Sequence, residues 1–326
     1  MQDGRTFVNE HKRLIAQGID PLDEKQKVSK VITFGDFFES EYMPNYAMKV
    51  KKSWKHDQWM YNSDLKKIFG DYLLNDISKR EISKFIYSIK DRASGARANR
   101  FLSLISKVMS TALDWEFIEG ENPCRRIKKF KESAGRTRYL SNNEIKRLKI
   151  ALDSVPQRQR VSALAIWFLL TTGCRLGEAM SLTWDRIEIE NNIAFLPQEM
   201  TKNATAHQVY LNKQAIKTLK ELKKHMVRGN PHLFPSVVGP TGHLLSPRRT
   251  FDSVKKAAKL DNLRLHDLRH SFCSIVISNN NNSLYTLSKL LGHANQAMTS
   301  RYSHLRNQAL IDASETVATQ LESVME

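Results

Sequence analysis

Six side chains in the C-terminal half are of types that do chemistry on a phosphate ester: Arg175, Lys202, His266, Arg269, His293 and Tyr302. Arg175 stands in TTGCRLGEAMSLTW, three residues before Glu178, a spacing that puts both on one face of a helix. An arginine there can grip a phosphate with two parallel hydrogen bonds while the carboxylate one turn away orients its guanidinium. A plain surface ion pair fits the same spacing. Lys202 falls in EMTKNATAHQ, between two expected strands, where a lysine is otherwise a solvated hairpin residue. In LRLHDLRHSF, His266, Arg269 and His270 follow one another at i, i+3 and i+4, beside an apolar stripe of Leu265, Leu268, Phe272 and Val276.

Two histidines four apart are also a metal-binding spacing, but the zinc protease pattern needs Glu directly after the first, and here Asp267 stands there. Arg269 beside the pair would repel a cation, so an anion site is favoured and no metal is expected. In LSKLLGHANQAMTSRYSH, Gly292 closes a helix, His293 follows, and Tyr302 lies nine residues further on. Each cluster alone is weak, and a lone tyrosine near a C-terminus is ordinarily a packing residue. Two arginines, a lysine, two histidines and a tyrosine together make a site for phosphoryl transfer without a metal. The arginines neutralise non-bridging oxygens, Lys or His protonates the departing oxygen, and the tyrosine supplies an attacking phenolate. No glycine-rich nucleotide loop accompanies them, and no cofactor is expected.

The elements that must position these groups can be read from periodicity. Phe34, Phe37 and Phe38 have the spacing of a buried helical face, and a second helix is expected over 53–68. Ser78 with Glu81 has the form of a capping box opening a third helix, with Ile82, Phe85, Ile86 and Ile89 inward. A fourth helix runs over 95–117, so residues 31–131 read as a four-helix domain, preceded by a polar tail over 1–30 and followed by a connector over 132–138. Within 139–326, Ser141 and Glu144 form another capping box, and VSALAIWFLLTTGC is apolar nearly all round, as a helix at a domain centre must be. RIEIE, IAFLP and HQVYL alternate like strands, with Asn191 and Asn192 turning between the first two, which predicts a small antiparallel meander. The fold class expected is mainly α with a small antiparallel sheet.

Composition bounds the partners. The 326 residues carry a formal net charge of +17, and both 1–131 and the remainder are basic, by +7 and +10. A polyanion touching both domains explains this distribution, nucleic acid being the usual one, although basicity for solubility alone produces the same number. Arg125, Arg126, Lys128 and Lys129 suit a segment that follows a DNA backbone, or equally a solvated loop. Cys124, Cys174 and Cys273 are far apart and form no Cys-x-x-Cys pair, so a reducing compartment is inferred. No stretch approaches the roughly 20 apolar residues of a membrane span, which predicts a cytoplasmic protein with no membrane partner, nucleoid-associated when acting on DNA.

The strings TGCRLGEAMSLTW, HDLRH and LGH followed by Tyr302, in this order and covering about residues 139–305, resemble the signature of the tyrosine recombinase (phage integrase) family. The helical pattern over 31–131 is similar to the family's core-binding domain, which with the catalytic domain forms a clamp on duplex DNA. The resemblance implies that Tyr302 attacks the scissile phosphate to give a 3′-phosphotyrosyl link. It further implies that Arg175 and Arg269 bind the non-bridging oxygens, Lys202 is the acid toward the 5′-oxygen, and His266 does acid/base work on the tyrosine side. His293 would donate to the phosphate and Glu178 would orient the site, while His270 matches a variable place and is left out. Exchange through a Holliday junction implies a homotetramer on double-stranded DNA bearing specific sites, with accessory DNA-bending proteins as possible partners, in integration or excision of a mobile element. The alternatives are a DNA-relaxing enzyme of the type IB topoisomerase kind and a catalytically silent DNA-binding protein of the same fold.

Overall fold

The computed structural model describes residues 32–132, 138–201, 205–236, 241–278 and 283–292. The chain divides into two compact units, Met1–Ala134 and Gly135–Glu326.

The first unit holds four helical runs: α1 (Phe34–Asp36, Phe37–Ala47 and Met48–Val50 in succession), α2 (Trp54–Met60, Tyr61–Leu65, Lys66–Phe69), α3 (Lys79–Arg92) and α4 (Gly95–Asp114). The middle of α1 is wound as a π-helix and contains Pro44, which has no N–H to give to a tighter turn. Phe34, Phe37 and Phe38 are fully buried, and Phe38 stacks on Tyr61 of α2 with ring centroids 4.1 Å apart. Ser78 and Glu81 cap α3 reciprocally, and Ile82, Phe85, Ile86 and Ile89 face the core. Helix α4 ends three residues earlier than the apolar period suggests. Glu116 there takes a φ of 59°, which reverses the chain so that Phe117 packs edge-on against Phe37 at 5.0 Å.

The basic stretch after α4 is fastened to this unit. Cys124 is buried, Ile127 and Phe130 pack against the core, and Asn99 of α4 accepts from the Phe130 backbone N–H and donates to its carbonyl, both at 2.9 Å. Its Nδ2 also donates to Glu132 at 2.8 Å. The apolar side chains hold this irregular segment down while Arg125, Arg126, Lys128 and Lys129 remain exposed.

The second unit is built around α6 (Arg160–Thr172), whose Ala163–Ile166 and Phe168–Leu170 are buried. Around it pack α5 (Asn142–Asp153), α7 (Leu176–Met180), α8 (Lys213–Leu222), α9 (Arg248–Ala257) and α10 (Leu265–Ser278). An apolar run with no polar face can be stable only at such a centre. Strands β1 (Ile187–Glu188), β2 (Ile193–Leu196) and β3 (His207–Tyr210) form an antiparallel meander in sequence order, with Ala194 opposite Val209. β1 is shorter than its alternating pattern because the turn to β2 takes four residues, Ile189–Asn192, with Asn192 at a φ of 55°. Helix α11 (Leu284–Leu290) packs against α10 and β3. The protein is thus mainly α with a small antiparallel sheet, and no helix among the described residues is long and apolar enough to cross a membrane.

Candidate active site

Helix α6 stops at Gly173, which takes a φ of +67° and donates its N–H to Leu169 at 3.0 Å. Glycine is required there twice over: the left-handed backbone disfavours a side chain, and an added Cβ would stand 2.5 Å from the Phe272 ring. The sharp stop places Arg175 at the N-cap of α7 and Glu178 in its first turn. The Arg175 Nη1 donates to Glu178 Oε1 at 2.7 Å, and the Arg175 backbone N–H reaches Oε2 at 3.3 Å. Glu178 is only 2% exposed, so this is a largely buried ion pair and not a surface salt bridge.

Arg269, in the second turn of α10, is 6% exposed and bridges two helix ends. Its Nη1 donates to the Gly173 carbonyl at 2.6 Å and its Nη2 to the Leu291 carbonyl at 2.9 Å. Gly173 terminates α6 and Leu291 follows α11, so the guanidinium sits on carbonyls at the C-terminal ends of two helices, where the helix dipole favours a cation. Burial lowers the Arg269 pKa, and the neighbouring positive charge of Arg175 lowers it further. Two guanidiniums are therefore close enough to repel one another, and one carboxylate, Glu178, acts on both. Arg175 Nη2 is buried without a hydrogen-bond partner, the only charged group so placed among the described residues. A buried cationic donor with nothing to bind is costly, and an anion entering beside Arg269 would relieve it.

His266 and His270 lie one turn apart on α10, with ring centroids 4.9 Å apart and nearly perpendicular. His266 is exposed and His270 buried. Asp267 accepts from the Arg264 backbone N–H at 2.8 Å and so caps the start of the helix. Ser271 accepts from the Leu140 N–H at 2.8 Å, which ties α10 to the segment entering α5. Among the described residues no group of three or more His, Cys, Asp or Glu could hold a metal ion. Lys202, His293 and Tyr302 lie outside the described residues. The structure thus brings together Arg175, Glu178 and Arg269, and sets His266 on the same helix as Arg269.

One neighbour was missed in the sequence. His207 begins β3 on the face that carries Val209 and Leu211 into the core, and its pKa is lowered by burial. Glu178 opposes that shift, whereas Arg175 and Arg269 add to it, so the ring lies within electrostatic reach of the same cluster. The signal was present as a histidine on the apolar side of an alternating strand, five residues after Lys202.

A mixed unit in which a small meander and helix ends converge on two arginines matches a known class: the model of the phage integrase family covers residues 138–309, and the chain belongs to that family. Within it, the chain is a tyrosine-type site-specific recombinase. It is 31% identical to the integrase of Escherichia phage P2, over 76% of this chain and 67% of that protein. It is 27% identical to an integrase/recombinase of Haemophilus influenzae, over 79% of this chain and 83% of that protein. Its fold is similar to that of lambda integrase, solved as a dimer bound to a COC′ core site, with a TM-score of 0.67 and 19% identity over 92% of this chain and 85% of that one. A lambda integrase tetramer bound to a Holliday junction is similar with a TM-score of 0.65 and 18% identity, over 90% and 88% of the two chains.

Proposed function

We propose that this chain cuts and rejoins double-stranded DNA at specific sites through a 3′-phosphotyrosyl bond to Tyr302, in the integration or excision of a mobile element. The observation that carries the reading is the Arg175–Arg269 pair, a buried concentration of positive charge with one donor unengaged. In this reading both guanidiniums hold the non-bridging oxygens of the scissile phosphate, and Glu178 keeps Arg175 in its aim. The Tyr302 oxygen forms a bond to phosphorus as the bond to the 5′-oxygen breaks. Lys202 supplies the proton that the 5′-oxygen takes up, His266 serves the tyrosine oxygen, and His293 donates to the phosphate. Each donor directed at developing charge contributes about 10²–10³ in rate in comparable sites. The bond energy is held in the phosphotyrosine, so resealing needs no cofactor. Two rounds of exchange through a Holliday junction call for four protomers on DNA. The lambda integrase tetramer on such a junction supports that assembly by similarity of fold. The two units, both basic, would then close on the duplex as a clamp, with Arg125, Arg126, Lys128 and Lys129 on phosphates.

The test is covalent capture. A pool of nicked duplexes, selected for capture by the full chain, should yield a site that leaves protein and DNA joined through denaturation. Tyr302→Phe should bind that site without joining it, and capture should persist in excess EDTA because arginine and lysine supply the positive charge. Capture by the Phe variant, or loss of capture that magnesium restores, would reject this mechanism.

A further inference from the structure

His207 has no part in the mechanism above, yet it packs against the turn that holds Arg269. Gly292 has a φ of +59°, and a Cβ added there would lie 2.6 Å from His207 Cδ2, 2.7 Å from Cγ and 2.8 Å from Nδ1. The imidazole therefore fills the space in which any other residue at 292 would carry a side chain. The turn resting on the ring is also the one that holds Arg269, whose Nη2 donates to the Leu291 carbonyl at 2.9 Å. The guanidinium's other limb is fixed to the carbonyl of Gly173 at 2.6 Å. Imidazole and guanidinium thus meet the same Leu291–Gly292 turn, one by packing and the other by a hydrogen bond.

We propose that His207 is a positioning residue for Arg269: its ring sets the height of the Leu291–Gly292 turn and so the direction in which the guanidinium faces the scissile phosphate. The proposal rests on the reading that Arg269 binds that phosphate. An aliphatic side chain could fill the same volume, but His207 also hydrogen-bonds to the Thr205 backbone, which fixes its ring plane. Burial favours the neutral imidazole, as do Arg175 and Arg269, while Glu178 and the Thr205 bond work the other way. A neutral ring supports the turn without adding a third positive charge beside two guanidiniums.

The experiment uses the full chain and the nicked duplex obtained by covalent capture, made in two forms: an ordinary phosphodiester, and a methylphosphonate that replaces one charged non-bridging oxygen with a methyl group. Single-turnover cleavage is measured for the wild type, His207→Ala, Gly292→Ala and the double variant, alongside DNA affinity and melting temperature. His207→Ala should slow cleavage of the phosphodiester by about a hundredfold, the effect of misplacing a group by an ångström, with DNA affinity unchanged. On the methylphosphonate, which has less charge for Arg269 to neutralise, the loss should shrink severalfold or vanish. Gly292→Ala should show the same pattern from the other side of the His207–Gly292 packing, and the double variant should lose less than the product of the two single losses.

An unimpaired His207→Ala, an equal loss on both substrates, or strictly multiplicative losses would overturn the proposal. If His207→Ala melts below the assay temperature, Gly292→Ala carries the same comparison. Failure of the wild type to be captured at all, or capture by Tyr302→Phe, would instead overturn the reading beneath it.

Discussion

Replacing Gly173 with alanine tests whether the end of α6 sets the site. Two penalties combine at this position. The φ of +67° costs a non-glycine residue about 1–2 kcal/mol. The new Cβ would also lie 2.5 Å from Phe272 Cδ1 and 2.9 Å from Cγ, and inserting a methyl into packed surroundings of this kind costs about 1–3 kcal/mol. The sum, about 2–5 kcal/mol, corresponds to a fall in melting temperature of roughly 4–20 °C for a unit of this size. Phe272→Ala has its own cost, but in that background the steric part should disappear and the further loss from Gly173→Ala should drop to the backbone part, about 1–2 kcal/mol. The Gly173 carbonyl also receives Arg269 Nη1, so the variant should cleave slowly even below its melting temperature, and the Phe272→Ala background should recover part of that loss. Melting by calorimetry and single-turnover cleavage give the two readouts. A Gly173→Ala protein that melts within a degree of the wild type would refute the reasoning. So would an undiminished penalty in the Phe272→Ala background, because the ring would then not be the obstacle.

The thiols of Cys124 and Cys174 are both pushed up to about 12 by burial, so alkylation at pH 8 should be negligible in the native protein and rapid in denaturant, as mass spectrometry after quenching would show. Glu144 is held below the usual carboxylate value, first by hydrogen bonding to Arg138 and then by the Ser141 backbone N–H, with burial opposing. Because its folded pKa is depressed, it contributes stability above the unfolded value of about 4.3 that is lost as pH falls through the folded one. Glu144→Gln should therefore be less stable than the wild type at pH 7 and converge with it in acid, by urea unfolding across that range. Replacing Arg125, Arg126, Lys128 and Lys129 with alanine should flatten the slope of log K against log[salt] by up to about 0.9 for each phosphate no longer neutralised, while preference among sites changes little. An unchanged slope in fluorescence anisotropy titrations would make that strip a solvated edge of the helical unit.

Much of the architecture was legible locally. The capping boxes at Ser78 and Ser141 form as their four-residue patterns require, since N-cap and N3 meet within one turn whatever the rest of the chain does. The phenylalanines of α1 and the apolar run of α6 declare their burial by period and composition, and the Asn191–Asn192 signal marks the turn of the meander. Arg175 and Glu178 are likewise a local event, three residues apart on one helical turn. What sequence could not decide is everything that depends on distant segments meeting. Asn99 fastening Phe130 joins positions 31 residues apart, and neither residue type announces it. The choice between a surface pair and a buried one for Arg175 and Glu178 was open in the sequence. It was settled by α7 packing against α6, which leaves Glu178 out of water.

The same division runs through the site. The residue types and order of Arg175, Lys202, His266, Arg269, His293 and Tyr302 are properties of the sequence, and family membership follows from them and from the matched model. Arg269 bridging Gly173 and Leu291, and His207 beneath Gly292, exist only once α10, α11 and β3 have packed. Periodicity says which face of an element is buried, because burial repeats along one element. It carries no record of which other element lies opposite, and that pairing is set by the packing of the whole unit.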